Sequence, residues 1–396
     1  MRKIPAKHRH WLIKELPLLE NEGVLDTTSR QRLESYYDSQ PTAQSNWIIV
    51  AFAILGALLI GGGIILLFAH NWEELGRSTR AVLSFCPLIV GIAFSSFALN
   101  RDGTGLKEAA AIFQTLAVGA SIALIGQTYH IPSNTPAFIL TWALLSMPLI
   151  FLLRSVGVYI LYLALICFWT GHAQDRYDQA IGFWPLLLPA LAWCFQCSRN
   201  SWTAPRTLIS LWALMLSLPI ALGISLEHKF PGLWIVTYAS YFGLIGLLGL
   251  RFYPNCHGWS NPLGSMGILG IAGLTYIFTW QDLWDEVARD YTHWSYTFEW
   301  GLWYDSTITL ALLIPWAMIV VKSFNRHSLP KITLASFTPL AALSLSIAIV
   351  SDQSLVSTLL FNLYMLALGL AYLVQGCRSI QLRLVNFGML ILSLLL

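Results

Sequence analysis

The sequence predicts an all-α fold: a polytopic transmembrane bundle of twelve or thirteen helices with a short N-terminal cytoplasmic helical hairpin. Three observations predict it. Hydrophobic residues make up 56% of the 396 positions and charged residues only 11%, too little charge to coat a water-soluble surface. Apolar runs recur from residue 47 to the end, most of them near the length of about 20 residues that a membrane span needs. Seventeen tryptophans are present, and Trp and Tyr concentrate at membrane–water boundaries.

Residues 1–46 form a separate polar module, a cytoplasmic amphipathic hairpin preceding a multi-pass domain over 47–396. "WLIKELPLLENEGVL" and "TTSRQRLESYY" each place apolar residues at helical spacing, separated by Gly23 and a cap-forming Asp26-Thr27. Leu12, Leu16, Leu19 and Val24 form one apolar set; Leu25, Leu33 and Tyr36 form another. The module is too small to bury a core alone. It is expected to lean on the membrane body or on a protein partner.

The apolar runs fall at about 47–68, 81–99, 109–127, 136–153, 156–170, 182–197, 207–224, 233–250, 263–280, 307–321, 335–351, 354–374 and 384–396. Those at 156–170 and 307–321 are short for a span. Threading the chain with its N-terminus in the cytoplasm puts 18 of the 23 Lys and Arg inside and five outside, the bias that sets orientation. Most of the acidic residues of the multi-pass domain then face outward, including Glu73, Glu74, Asp175, Asp282, Asp285, Glu286, Asp290 and Asp305. The segment 281–306 mixes acid with aromatics and reads as an amphipathic element along the interface. The expected location is a bacterial inner membrane.

Several classes drop out. No basic run interleaved with aromatics suggests nucleic-acid binding. The six scattered cysteines are not a disulfide framework, and Cys194-Phe-Gln-Cys197 ends an apolar run without the βαβ context of a redox motif. No metal-ligating motif and no phosphate-binding glycine loop is legible, so no metal and no cofactor are expected. His172, Asp175 and Asp178 share "GHAQDRYDQ", which reads as a solvated loop. No Asp, Lys or Arg sits in the middle of a run, where ion-coupled pumps place their ionisable groups.

Two polar clusters remain. "HNWEE" (70–74) opens the first external loop, and "GQTYHIPSN" (126–134) opens the second. Asn71 and Trp72 can hold a head group by hydrogen bonding and stacking. Glu73 is a candidate acid or base. His130 offers an imidazole, and Gln127 shares its face if the helix runs through both. Tyr129 completes the set. The plainer reading is interfacial capping and an aromatic belt. Sequential spans usually pack as neighbours, so the clusters are expected to meet as one site. Gln114, Ala117, Gly119 and Ser121 line one run, and Gly56, Gly61, Gly62 and Gly63 another; such residues permit close helix approach.

"ELPLLENEGVLD", "HNWEEL", "GASIALIGQTYHI", "RSVGVYILYLAL" and the closing "NLYMLALGLAYLVQGCRS" with "NFGMLIL" resemble a bacterial family of predicted membrane proteins, domain of unknown function 2157. Its Asn-Trp-acid and Gly-Gln-x-Tyr-His signatures map onto Asn71, Trp72, Glu73, Gly126, Gln127, Tyr129 and His130. The resemblance implies a bacterial membrane location and no particular chemistry.

Three functions follow in order. The first is a binding, sensing or accessory subunit that uses the external polar face, with membrane lipids, an envelope or lipid-linked ligand, or a protein bound by residues 1–46 as partners. The second is an enzyme on a lipid-linked or envelope substrate, with Glu73 and His130 as catalytic candidates. The third is an uncoupled transporter or flippase.

Overall fold

A computed structural model describes residues 15–38, 75–101, 103–177, 180–226, 230–254, 256, 258–294, 300–322, 329–351 and 354–395. The chain divides into two compact units, 1–77 and 78–396. The run at 47–68, with its four glycines, and the "HNWEE" cluster lie outside the described residues.

In the first unit, α1 covers residues 15–21 and α2 covers Thr27–Asp38. Gly23 turns the chain with φ +72°. Asp26 accepts from the Ser29 backbone N–H at 3.3 Å, an N-cap bond that starts α2. Arg30 pairs with Glu20 across the turn and with Glu34 along α2. Leu16 is buried, whereas Val24 stands exposed.

In the second unit every apolar run from residue 81 onward folds as a helix. These are α3 (Arg77–Leu99), α4 (Thr104–Thr128), α5 (Thr135–Leu152), α6 (Val156–Tyr177), α7 (Phe183–Asn200), α8 (Pro205–Ser225) and α9 (Leu233–Phe252). They continue as α10 (Pro262–Phe278), α11 (Gln281–His293), α12 (Trp300–Lys322), α13 (Leu329–Ser351), α14 (Ser354–Arg378) and α15 (Leu382–Ser393). Among the described residues nine helices are long and apolar enough to span a membrane, ten if α10 and α11 form one broken span. The two short runs are the ends of longer helices, because α6 continues into "GHAQDRY" and α12 begins at Trp300.

That extension corrects one expectation. Asp305 does not belong to an external loop; it lies in the second turn of α12 and is only 2% exposed. The aromatic residues of "WGLWYDS" carry the helix past the polar positions that had marked a loop. His172 and Asp175 likewise ride on α6, where the His172 ring nitrogen Nδ1 lies 2.9 Å from the Phe168 carbonyl.

Helix α9 is the hub and packs against α10, α12 and α13. Two thirds of its span is buried, compared with 22% for α3. Gly246 and Gly249 of α9 face Gly264 and Gly267 of α10 so closely that a Cβ on Gly267 would lie 2.4 Å from Gly246 Cα. Close backbone contact substitutes for the hydrophobic drive that helices lack in lipid. Asn261 seals the same corner, accepting from Gly264 N–H at 2.8 Å and donating to Gly249 O at 3.3 Å.

Backbone groups freed inside an apolar bundle need partners, and side chains supply them. Pro219 has no N–H for the Met215 carbonyl, and the Tyr241 hydroxyl of α9 donates there instead at 3.2 Å. Where α10 breaks from α11 at 78°, Trp284 Nε1 donates to Phe278 O and Asn362 Nδ2 of α14 to Thr279 O. Phe278, Trp284, Phe337 and Phe361 pack around that break with ring centroids 5.0–6.0 Å apart. Helix α11 is amphipathic as expected, burying Trp284, Val287 and Ala288.

Candidate functional site

Helix α4 stops at Thr128, and the stop is chemically explicit. Ile131 N–H reaches the Gly126 carbonyl at 3.0 Å and His130 N–H reaches Gln127 O at 3.3 Å. That pair of bonds is a Schellman stop, whose turning residue must adopt a left-handed backbone. The position is occupied by His130, with φ +51°. Glycine takes this conformation freely; an L side chain pays for it, though His tolerates it better than most.

The stop sorts "GQTYHIPSN" into two groups. Thr128 is buried and donates to Leu124 O at 2.8 Å. Asn134 caps α5, accepting from Ala137 N–H at 3.2 Å. Those two serve the fold. Gln127, Tyr129 and His130 are exposed, Tyr129 at 52%. Because α4 ends at Thr128, helical periodicity does not bring Gln127 and His130 together; the tight turn keeps them adjacent. Asn71, Trp72 and Glu73 lie outside the described residues.

The intramembrane polar residues expected on α4 are placed by packing. Gln114 is 5% exposed and its Oε1 has no hydrogen-bond partner; a Cβ on Gly91 would sit 2.1 Å from that oxygen. The amide therefore fills the notch left by Gly91 on α3. Ser121 is also buried without a partner, Ala117 is buried, and Gly119 makes room for the Trp142 indole. Cys194 and Cys197 are buried free thiols, with Cys194 against the Tyr159 hydroxyl at 3.2 Å.

One polar cap in this region was not legible in the sequence. In the second turn of α4, Glu108 reaches the N-terminus of α6, where its carboxylate accepts from Val156 N–H at 2.9 Å and Gly157 N–H at 3.1 Å. It also accepts from the Ser155 hydroxyl, and Ser155 Oγ in turn accepts from Val158 N–H at 3.1 Å. A carboxylate at a helix N-terminus meets both free N–H groups and the positive end of the dipole. Gly157 permits this approach, since a Cβ there would lie 2.5 Å from Ile112 Cδ1. The preceding Arg154 takes the same left-handed turn as His130, with φ +51°. The signal in the sequence was the "RSVG" before an apolar run; its partner is 47 residues upstream.

Residues 17–159 match the family model described as predicted membrane protein (DUF2157). The matched region contains the Glu108 cap, the His130 turn and the start of α6. A second likeness is to the dicarboxylic amino acid permease of Saccharomyces cerevisiae, 24% identical over 211 residues. That stretch is 52% of this chain and 33% of the yeast protein, so the chain spans about a third of the length of this curated relative. No solved structure matches.

Proposed function

We propose that this multi-helix membrane protein is a binding, sensing or accessory subunit of a bacterial inner membrane, with its N-terminus in the cytoplasm. The observation that carries the reading is the His130 turn. A strained non-glycine residue is kept where glycine would be cheaper, and it presents Gln127, Tyr129 and His130 to the outside of the bundle. Strain of this kind concentrates at functional positions. The 18-to-5 division of basic residues supports the orientation. Asn71, Trp72 and Glu73 would complete the site from the first loop.

A cysteine-free background carrying Asn71→Cys and Gln127→Cys tests the site directly. A short bifunctional thiol reagent should link the pair as readily as a control pair at Ser95 and Ala110, which are in contact on α3 and α4. Linking of the control alone would remove the shared site. A membrane-impermeant thiol reagent should label Tyr129→Cys in intact cells and spare Arg154→Cys; the reverse would invert the topology.

Transport is the second reading, favoured by the burial of Asp305 within α12 and the 78° break between α10 and α11. Ionisable groups inside spans and broken helices mark substrate paths in transporters. The likeness to the yeast permease suggests radiolabelled glutamate and aspartate as substrates in proteoliposomes. No uptake above that of protein-free vesicles would discard this reading.

A further inference from the structure

We propose that the end of the bundle formed by the α7–α8 and α9–α10 connections binds the head group of an anionic phospholipid. Three arginines gather there: Arg199 near the end of α7, Arg206 at the start of α8 and Arg251 at the end of α9. The backbone brings the two connections together. Trp202 stacks on Phe252 with ring centroids 4.7 Å apart and an 8° interplanar angle. The Tyr253 hydroxyl donates to Trp202 O at 2.8 Å. Trp259 stacks on Trp212 of α8 at 5.1 Å, and Trp212 Nε1 donates to Trp259 O at 3.0 Å. Arg199 and Arg206 therefore flank an indole that rests on the residue next to Arg251.

Charge complementarity selects the occupant. Residues 198–206 and 251–262 contain no Asp or Glu, and among the described residues none of the three guanidinium groups has a carboxylate within ion-pair distance. Arg199 lies over the Phe195 ring at 5.6 Å, and Arg199 and Arg251 are exposed. Beside them stand exposed rings: Trp202, Phe252 and, at 67%, Trp259. Exposed aromatics at helix ends match the level of lipid head groups. Arginine offers two parallel N–H donors to a phosphate, which lysine does not. An anionic phospholipid satisfies both halves, with its phosphate on the arginines and its glycerol and upper acyl region on the rings. The site lies apart from the His130 turn and does not depend on it.

The test is native mass spectrometry of the full chain released from detergent and titrated with phosphatidylglycerol or phosphatidylcholine. The wild type should retain phosphatidylglycerol selectively. The triple variant R199K/R206K/R251K, which keeps the charge and the topology signal, should bind about tenfold more weakly, the loss expected for charge-assisted bonds. Equal retention of the two lipids would overturn the site, and so would a lysine variant that binds like the wild type, because bulk charge would then suffice. Inorganic phosphate that displaces the lipid at millimolar concentration would also overturn it, by removing any need for the rings. A second measurement needs no arginine variant. Brominated phosphatidylglycerol should quench the tryptophan emission more than brominated phosphatidylcholine, and W202F/W259F should abolish that difference. A difference that survives the double substitution places the lipid elsewhere and overturns the assignment.

Discussion

The two ends of α4 use polar residues in opposite ways. At its start Glu108 is spent on the fold, accepting from Ser155, Val156 and Gly157. At its finish Thr128 and, across the turn, Asn134 serve the fold. Gln127, Tyr129 and His130 are left outside, held on a left-handed turn. The contrast teaches that a polar cluster beside a span has to be divided by hydrogen bonding before it is read as a site. An acidic residue with every oxygen engaged is scaffold. An exposed set on a strained turn is available to a ligand.

Substitutions at the two ends of α4 should differ in size. Glu108→Ala leaves two helix-terminal N–H groups and a hydroxyl without their acceptor and should cost about 2–3 kcal/mol, read as a lowered thermal midpoint in detergent. Gln127→Ala and Tyr129→Ala should stay within about 0.5 kcal/mol of wild type, as exposed positions do. Comparable losses at both ends would erase the distinction. Gly157→Ala, which drives a methyl into Ile112, should cost about 1–2 kcal/mol by overpacking, and a neutral result would show that α4 and α6 can separate freely.

The turn itself gives an effect of opposite sign. Ile380 ends α14 in the same conformation, φ +53°, with 91% of its surface exposed. Ile380→Gly should stabilise by about 1 kcal/mol, since a β-branched side chain suits the left-handed region least. His130→Gly should gain about 0.5 kcal/mol while losing whatever the exposed imidazole binds. A histidine variant that loses stability instead would make His130 part of the scaffold. The smallest effect belongs to the first unit. The hydrogen bond from Ser29 lowers the Asp26 pKa below its ordinary 3.8. A depressed carboxylate stabilises fully above its unfolded value, and that contribution fades as pH falls through the lowered native one. Helicity of α2 followed by circular dichroism should therefore be constant from neutral pH to about 4 and decline below it, and Asp26→Ala should flatten that decline.

The candidate site was half legible in the sequence. Gln127, Tyr129 and His130 stood out as a gathering of hydrogen-bonding groups, but nothing local told them apart from Thr128 and Asn134, whose bonds are fixed only once the turn exists. Glu108 was invisible as a cap because its donors lie 47–49 residues away, beyond the reach of any periodicity. Asp305 was misplaced for a related reason: its burial depends on α9 and α12 packing together, where Thr309, one turn further on, meets Thr237 at 2.7 Å.

The sequence alone was enough for the class and for the helical runs from residue 81 onward. Those properties follow from apolar length, from proline and glycine, and from short-range capping, all of which act within a few residues. Only the tertiary structure decided which faces touch, because within lipid the hydrophobic effect does not choose between neighbouring helices. Shape and hydrogen bonding choose instead: Gly246 and Gly249 against Gly264 and Gly267, Tyr241 on the carbonyl that Pro219 leaves free, and Glu108 on the start of α6.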